Sequence, residues 1–251
     1  MTMQHREEVP PSSSEYAPLE SLDALVAALT ASVEQAVRLR GRSLLVLGLS
    51  PTTLRVCRRW TESWGHASFW HYTVVFLAAA VLPDAAPMQD AAETARPAEP
   101  RCLPVPSGNM HAVDPTLPAE DAAAAYERAL RMALELRPGE LPRFDLVLVG
   151  LDAELCRSGL YPRSWGRSGE SRLVLTVEGD EPGTTLVAIT PLALASSREC
   201  VLVAPPEPLA GGAPLVEPVT SIEQLLAMMG TTCRRVQLAA PTDAMPQSDA
   251  S

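Results

Sequence analysis

Phe144-Asp145-Leu146-Val147-Leu148-Val149-Gly150-Leu151-Asp152-Ala153-Glu154-Leu155-Cys156-Arg157-Ser158-Gly159-Leu160-Tyr161-Pro162 is the stretch whose reading decides the fold. Leu146, Val147, Leu148 and Val149 form an unbroken apolar run, the pattern of a strand buried on both faces. Gly150 punctuates it. A polar loop follows, closed by Leu160-Tyr161-Pro162. Ligands of open α/β sheets sit beyond the carboxyl ends of such strands. An active site in this chain would include this loop.

Outward from that strand the chain alternates helical and extended patterns. Upstream, Leu22, Leu25, Val26, Leu29, Val33 and Val37 recur at helical spacing and predict a helix over 19–40. Residues 43–49 read as a buried strand. Ser50 can cap the next helix, with Pro51 in its first turn, and that helix is expected over 53–62. A second strand is expected over 72–77 and an Ala/Pro-rich loop over 85–106. Ser107-Gly108-Asn109 signals a turn. A helix then opens at Pro118 and runs to 136, with Glu120 and Asp121 at its positive end and Glu127 four residues before Arg131. Downstream, strands are expected over 172–177, 185–189, 200–203 and 235–238, and a helix over 220–229. The turn at 179–183 separates the first two of these strands. Residues 1–18 and 241–251 read as disordered tails around one domain, 19–240. Alternating strands and helices predict an α/β fold with a mostly parallel sheet flanked by helices.

Composition narrows the function classes. The net charge is −10, so nucleic acid and anionic membrane are not expected partners. All 20 basic residues are arginine. Schiff-base lysines and P-loop lysines are thereby excluded. Cys57, Cys102, Cys156, Cys200 and Cys233 are odd in number and widely spaced, which predicts thiols in a reducing compartment rather than a disulfide framework or a zinc site. Neither a metal nor a cofactor is expected. The first fifteen residues lack the apolar run of a signal peptide, and residues 72–83 are too short to span a bilayer, so a cytoplasmic protein is expected.

In order and spacing, several segments resemble the 6-phosphogluconolactonase family, within the sugar-phosphate isomerase/deaminase superfamily. Leu47-Gly48-Leu49-Ser50-Pro51 stands where that family has Gly-Gly-Ser-Thr-Pro. Ala78-Ala79-Ala80-Val81-Leu82-Pro83 stands for Asp-Glu-Arg-x-Val-Pro, with all three charged residues replaced by alanine. The stretch from Gly150 to Pro162 matches Gly-Met-Gly-x-Asp-Gly-His-x-Ala-Ser-Leu-Phe-Pro without a gap. Val105-Pro106-Ser107-Gly108-Asn109-Met110-His111 and the Ala122-Ala123…Tyr126 helix resemble the family's lead-in. The segment from Glu181 to Thr190 resembles a later one that has lost its lysine and arginine. The resemblance implies a Rossmann-like sheet of the NagB/RpiA/CoA-transferase-like kind.

It also implies site residues. Glu154 falls at the acid position and Cys156 at that of the histidine base, while Gly48, Ser50, Pro51 and Gly150 fall at substrate- and phosphate-binding positions. An ordinary thiol titrates near ~8.5. Arg157 beside Cys156 would lower that value. His66, His71 and His111 read as surface or packing histidines. Ser158 lacks a nucleophile-elbow context, and Arg163, Arg167 and Arg172 read as a solvated face or an anion site. The residues that frame the fold persist (Gly48, Pro51, Pro83, Gly150, Leu160, Pro162), whereas those that serve the chemistry are replaced. Fold and site are separable in this way. The favoured reading is a catalytically impaired or inactive lactonase-like protein that acts as a binding or structural scaffold for a sugar phosphate or a protein. An active lactonase with relocated catalytic residues, hydrolysing 6-phospho-glucono-1,5-lactone, is the alternative. An unrelated α/β binding module is a third.

Overall fold

The structure, a computed structural model, describes residues 21–84, 103–150, 172–179, 182–204 and 232–238. Helix α1 (Leu22–Arg40) starts where the Ser21 side chain accepts the Ala24 N–H at 3.1 Å. It ends at Gly41, whose φ of 74° lets its N–H return to the Val37 carbonyl. Strand β1 (Ser43–Leu47) is buried throughout. Helix α2 (Pro51–Trp64) and a 3-10 turn (Ser68–Tyr72) lead into β2 (Thr73–Leu77). Strands β3 (Ala79–Pro83) and β4 (Met110–His111), helix α3 (Ala119–Ala133), and strands β5 (Leu146–Gly150), β6 (Val174–Glu178) and β7 (Thr184–Ile189) follow. Helix α4 (Pro191–Ala195), β8 (Glu199–Ala204) and β9 (Thr232–Gln237) complete the described chain.

Six strands form one all-parallel sheet in the order β4-β2-β1-β5-β8-β9. Side chains alternate between its faces. Leu45, Leu47, Leu146, Leu148, Val201 and Val203 pack with α1 and α2. Leu44, Val46, Phe76, Val147, Val149 and Leu202 pack on the other side with α3 and the second sheet. Both faces are thus covered, as the apolar runs of β1 and β5 require.

The second sheet is a separate antiparallel one, β3-β7-β6. Its hairpin turn needs Gly179, because a Cβ there would lie 2.9 Å from the Thr184 carbonyl oxygen. One residue joins the two sheets. The Ala78 N–H bonds the Leu47 carbonyl at 2.9 Å, and its carbonyl accepts the Ile189 N–H at 2.8 Å. Glu127 on α3 fixes the start of β6, since its Oε2 accepts the Leu173 and Val174 N–H groups at 3.1 and 3.3 Å.

Asp145 fastens the opposite end of the parallel sheet, where the strands begin. Its side chain is 5% exposed. Oδ2 accepts the Leu44 N–H at 2.9 Å, and Oδ1 lies 2.7 Å from Arg40 Nη2 and 3.2 Å from Arg198 Nε. One carboxylate thereby ties the exit of α1, the starts of β1 and β5, and the approach to β8.

The elements expected over 19–40, 53–62, 72–77, 118–136 and 185–189 are present within a few residues of those limits. The first strand stops at Leu47, two residues early, because Gly48 and Leu49 belong to the loop into α2. The turn at Ser107-Gly108-Asn109 is one turn of 3-10 helix. Strand β3 and the short α4 had no counterpart in the sequence reading. The helix expected over 220–229, residues 85–102 of the loop expected over 85–106, and both tails lie outside the described residues.

Candidate functional site

Chain order places the site. From β1 the sheet grows one way through β2 and β4 and the other way through β5, β8 and β9. The carboxyl ends of β1 and β5 therefore flank a topological switch point, the crevice in which such folds hold ligands. Gly48, just past β1, and Gly150, the last residue of β5, stand on its two sides. Gly48 N–H donates to the Leu148 carbonyl at 2.9 Å. A Cβ on Gly48 would meet Val149 Cγ2 at 3.5 Å and the Leu148 oxygen at 3.6 Å, both ordinary contacts. Packing against β5 does not demand a glycine there.

The loop into α2 is closed on itself. Ser50 and Thr53 form a reciprocal capping box. Thr53 N–H donates to Ser50 Oγ at 3.2 Å, and Ser50 N–H donates to Thr53 Oγ1 at 3.1 Å. The Thr53 hydroxyl donates to the Gly48 carbonyl at 2.5 Å. Pro51 has no N–H. A helix start binds an anion through its unsatisfied N–H groups. At Gly48, Ser50 and Thr53 those groups already have partners inside the protein. Replacing Ser50 with alanine removes this cap and is expected to cost about 1 kcal/mol, read as a lower urea midpoint with an unchanged slope. A midpoint equal to the parent's would show that the cap contributes nothing.

At the end of β2 the wall is apolar. Ala78 is 1% exposed, and Ala79 and Ala80 are half-buried. Tyr126 reaches this corner from α3, its buried hydroxyl donating to the Leu77 carbonyl at 2.7 Å. Burial pushes its phenol pKa up. Tyr126 also lies 3.4 Å from the His111 carbonyl. His111 stacks on Phe76 with ring centroids 4.8 Å apart, and desolvation holds its imidazole below the ordinary value. It sits on β4, two strands from β1, or about 10 Å from the crevice at the usual interstrand spacing. It packs against the sheet and is not placed to work as a base between Gly48 and Gly150.

The structure thus brings Gly48, Ser50, Pro51 and Gly150 to the carboxyl end of the sheet. Glu154, Cys156, Ser158, Arg163 and Arg167 lie outside the described residues. Arg172 precedes β6, its side chain 42% exposed and 3.9 Å from Glu120. His66 and His71 are exposed at the opposite end, before β2 begins. Cys57 and Cys200 are buried. Thr53 and the reach of Tyr126 were not read as site features. The Ser50-x-x-Thr53 spacing was the available signal for the first, as a variant of the capping box. Among the described residues no group of acidic, histidine and cysteine side chains could hold a metal ion, and no helix is long and apolar enough to cross a membrane.

Comparison with known proteins agrees with this geometry. Residues 18–207 match the family model of glucosamine-6-phosphate isomerases/6-phosphogluconolactonase. Rat 6-phosphogluconolactonase is 29% identical over 103 residues, which are 41% of this chain and 39% of that protein. The Nostoc 6-phosphogluconolactonase is 33% identical over 103 residues, 40% of this chain and 42% of that one. The matched stretch thus spans about two fifths of these curated relatives. Among solved structures, 6-phosphogluconolactonase from Thermotoga maritima superposes with a TM-score of 0.62 at 22% identity, over 87% of this chain and 97% of that one. The Trypanosoma cruzi enzyme gives 0.64 at 16%, over 89% and 92%. A monomeric glucosamine-6-phosphate deaminase gives 0.54 at 11%, over 86% and 92%. At these identities the superpositions establish the shared fold, and the family model covers most of the chain. The chain belongs to the glucosamine-6-phosphate isomerase/6-phosphogluconolactonase family.

Proposed function

We propose that this chain is a 6-phosphogluconolactonase-like protein whose lactone hydrolysis is lost or severely impaired, and that it serves as a binding scaffold. Lactone hydrolysis needs a base to take a proton from water as its oxygen attacks the carbonyl. It also needs donors for the developing oxyanion and a cationic cradle for the phosphate. The observation that carries the reading is the crevice wall. The signature that would bring two carboxylates and an arginine to the end of β2 brings Ala78, Ala79 and Ala80. The neighbouring loop also engages three of its N–H groups internally. At the motif positions further on, Cys156 replaces the histidine and Glu154 the acid. A missing general base lowers a rate by about 10²–10⁴ and each missing oxyanion donor by about 10²–10³.

The test is a lactonase assay with freshly made 6-phospho-glucono-1,5-lactone, following acid release. Purified protein is expected to leave the spontaneous rate unchanged. Turnover above that rate which disappears in Glu154→Ala or Cys156→Ser would overturn the reading. A thermal-shift series with 6-phosphogluconate separates the two scaffold roles, because a ligand bound only by the folded state raises the midpoint.

A further inference from the structure

Two cysteines far apart in sequence meet in the parallel sheet. Strands β8 and β9 pair from Glu199 opposite Thr232, and the next pair along is Cys200 opposite Cys233. Alternation along a strand fixes the face of each position. Val203 stands opposite Val236, and both belong to the core that α1 and α2 cover. Cys200 packs on the other face, with Leu202 and Ala204. Position 233 lies three residues before 236 and so falls on the Cys200 side of the sheet. The backbone thus sets two cysteines at directly neighbouring positions on one face.

Neighbouring strands lie about 4.8 Å apart. That is within the Cα separation of about 4.4–6.8 Å which a disulfide spans, and slightly beyond the ~3.5–4.5 Å between the Cβ atoms of a relaxed bridge. Closing a bridge here draws two strands together. Strand β9 ends the described strand order, with a described neighbour on one side only, so it is the one that can shift. A bridge closed with some strain is easily reduced again, which is the property of regulatory rather than structural disulfides. The five scattered cysteines argue against a permanent framework, and a reversible pair agrees with that. Cys200 is 3% exposed, so exchange takes place when β9 opens locally.

We propose that Cys200 and Cys233 are a reversible redox pair, oxidised by a low-molecular-weight disulfide to a bridge that pins β9 to β8. The thiolate of one cysteine attacks a sulfur of that disulfide, forming a mixed disulfide and releasing one small thiol. The thiolate of the other attacks the protein sulfur of the mixed disulfide and releases the second. Two electrons pass from the protein to the small disulfide, and the two thiol protons end on the released thiols. The bridge closes the chain between the two strands into a loop, which raises stability by constraining the unfolded state. The proposal stands whether or not the Gly48–Gly150 crevice hydrolyses lactones.

The experiment incubates the full chain with oxidised glutathione, quenches with acid, alkylates with N-ethylmaleimide in urea without reductant, and digests with trypsin. Residues 199–234 contain both cysteines and no arginine before Arg234, so they leave as one peptide. That peptide is expected without maleimide and lighter by two hydrogen atoms than its dithiol form. After dithiothreitol it should take up two maleimides. The oxidised protein is expected to melt at a higher temperature than the reduced one. Cys200→Ser should abolish the loss of two hydrogens and the rise in midpoint together. Cys233→Ser, on the outer strand, is the second variant should the first fail to fold, with the same two losses expected. Two maleimides on the peptide after oxidation, glutathione retained on either cysteine, or a bridge to Cys57, Cys102 or Cys156 would overturn the proposal. An oxidised protein that melts with the reduced one would also overturn it, since β9 would then not be pinned.

Discussion

Asp145→Ala is expected to cost about 3–5 kcal/mol of folding stability, the range seen when one partner of a buried charged network is removed. The Leu44 N–H loses its acceptor, and Arg40 Nη2 and Arg198 Nε lose the carboxylate oxygen they pair with. The backbone N–H is the most costly to strand, because it is buried at the foot of β1. Both guanidiniums are about one third exposed and can turn toward solvent, which holds the total within that range. Asp145→Asn keeps the shape and one acceptor but not the charge, and should fall between alanine and the parent. Urea unfolding followed by circular dichroism gives the three values directly. A loss below about 1 kcal/mol for alanine would mean that the carboxylate is not what fastens α1 to the sheet.

Trp60→Ala is expected to cost a similar amount, about 3–5 kcal/mol, for a different reason. Trp60, on α2, is fully buried against α1 and the 3-10 turn, edge-on to Trp70 with ring centroids 5.0 Å apart. Its Nε1 donates to Thr30 Oγ1 at 2.9 Å, and the Thr30 hydroxyl passes the chain on to the Val26 carbonyl at 2.9 Å. Alanine removes the ring, leaves a cavity and frees one acceptor. Trp60→Phe keeps most of the packing and loses the hydrogen bond, so about 1–2 kcal/mol is expected. For a domain of this size the alanine variant should lower the melting midpoint by on the order of 10 °C. A melting curve that matches the parent's would show that α1 and α2 are held by other contacts.

The main sheet was legible because its signals are local and strong. The apolar runs of β1 and β5 can only be buried on both faces, and Ser50-Pro51 marks the start of α2 by chemistry as well as by pattern. The helical stripe of α1 is likewise realised in Leu25, Val26, Leu29 and Val33, all buried. The second sheet was not legible as such. Ala79 and Ala80 have weak strand preference, and Pro83 suits only an edge. These residues are extended because β7 offers them a partner, with Val187 opposite Ala80. The hairpin of β6 and β7 was visible as two strands and a turn, but nothing local says that it leaves the parallel sheet. At the crevice, the resemblance supplied the motif positions while the physics of the loop stayed hidden. Whether a helix start is open to an anion depends on where Thr53 and Ser50 point their hydroxyls, and that is a three-dimensional fact. Asp145 went unread because a lone acid before an apolar strand looks the same whether it is solvated or clamped.

The joint at Ala78 bears on how this chain could change. Its methyl group is 1% exposed and its N–H and carbonyl are each held by a different sheet. An aspartate placed at this position would bring a charge into a buried site, where an unpaired carboxylate costs several kcal/mol. It could not swing aside without disturbing two ladders at once. A carboxylate at position 78 therefore needs a cation beside it, and Ala78→Asp alone is expected to be limited by stability before activity is at stake.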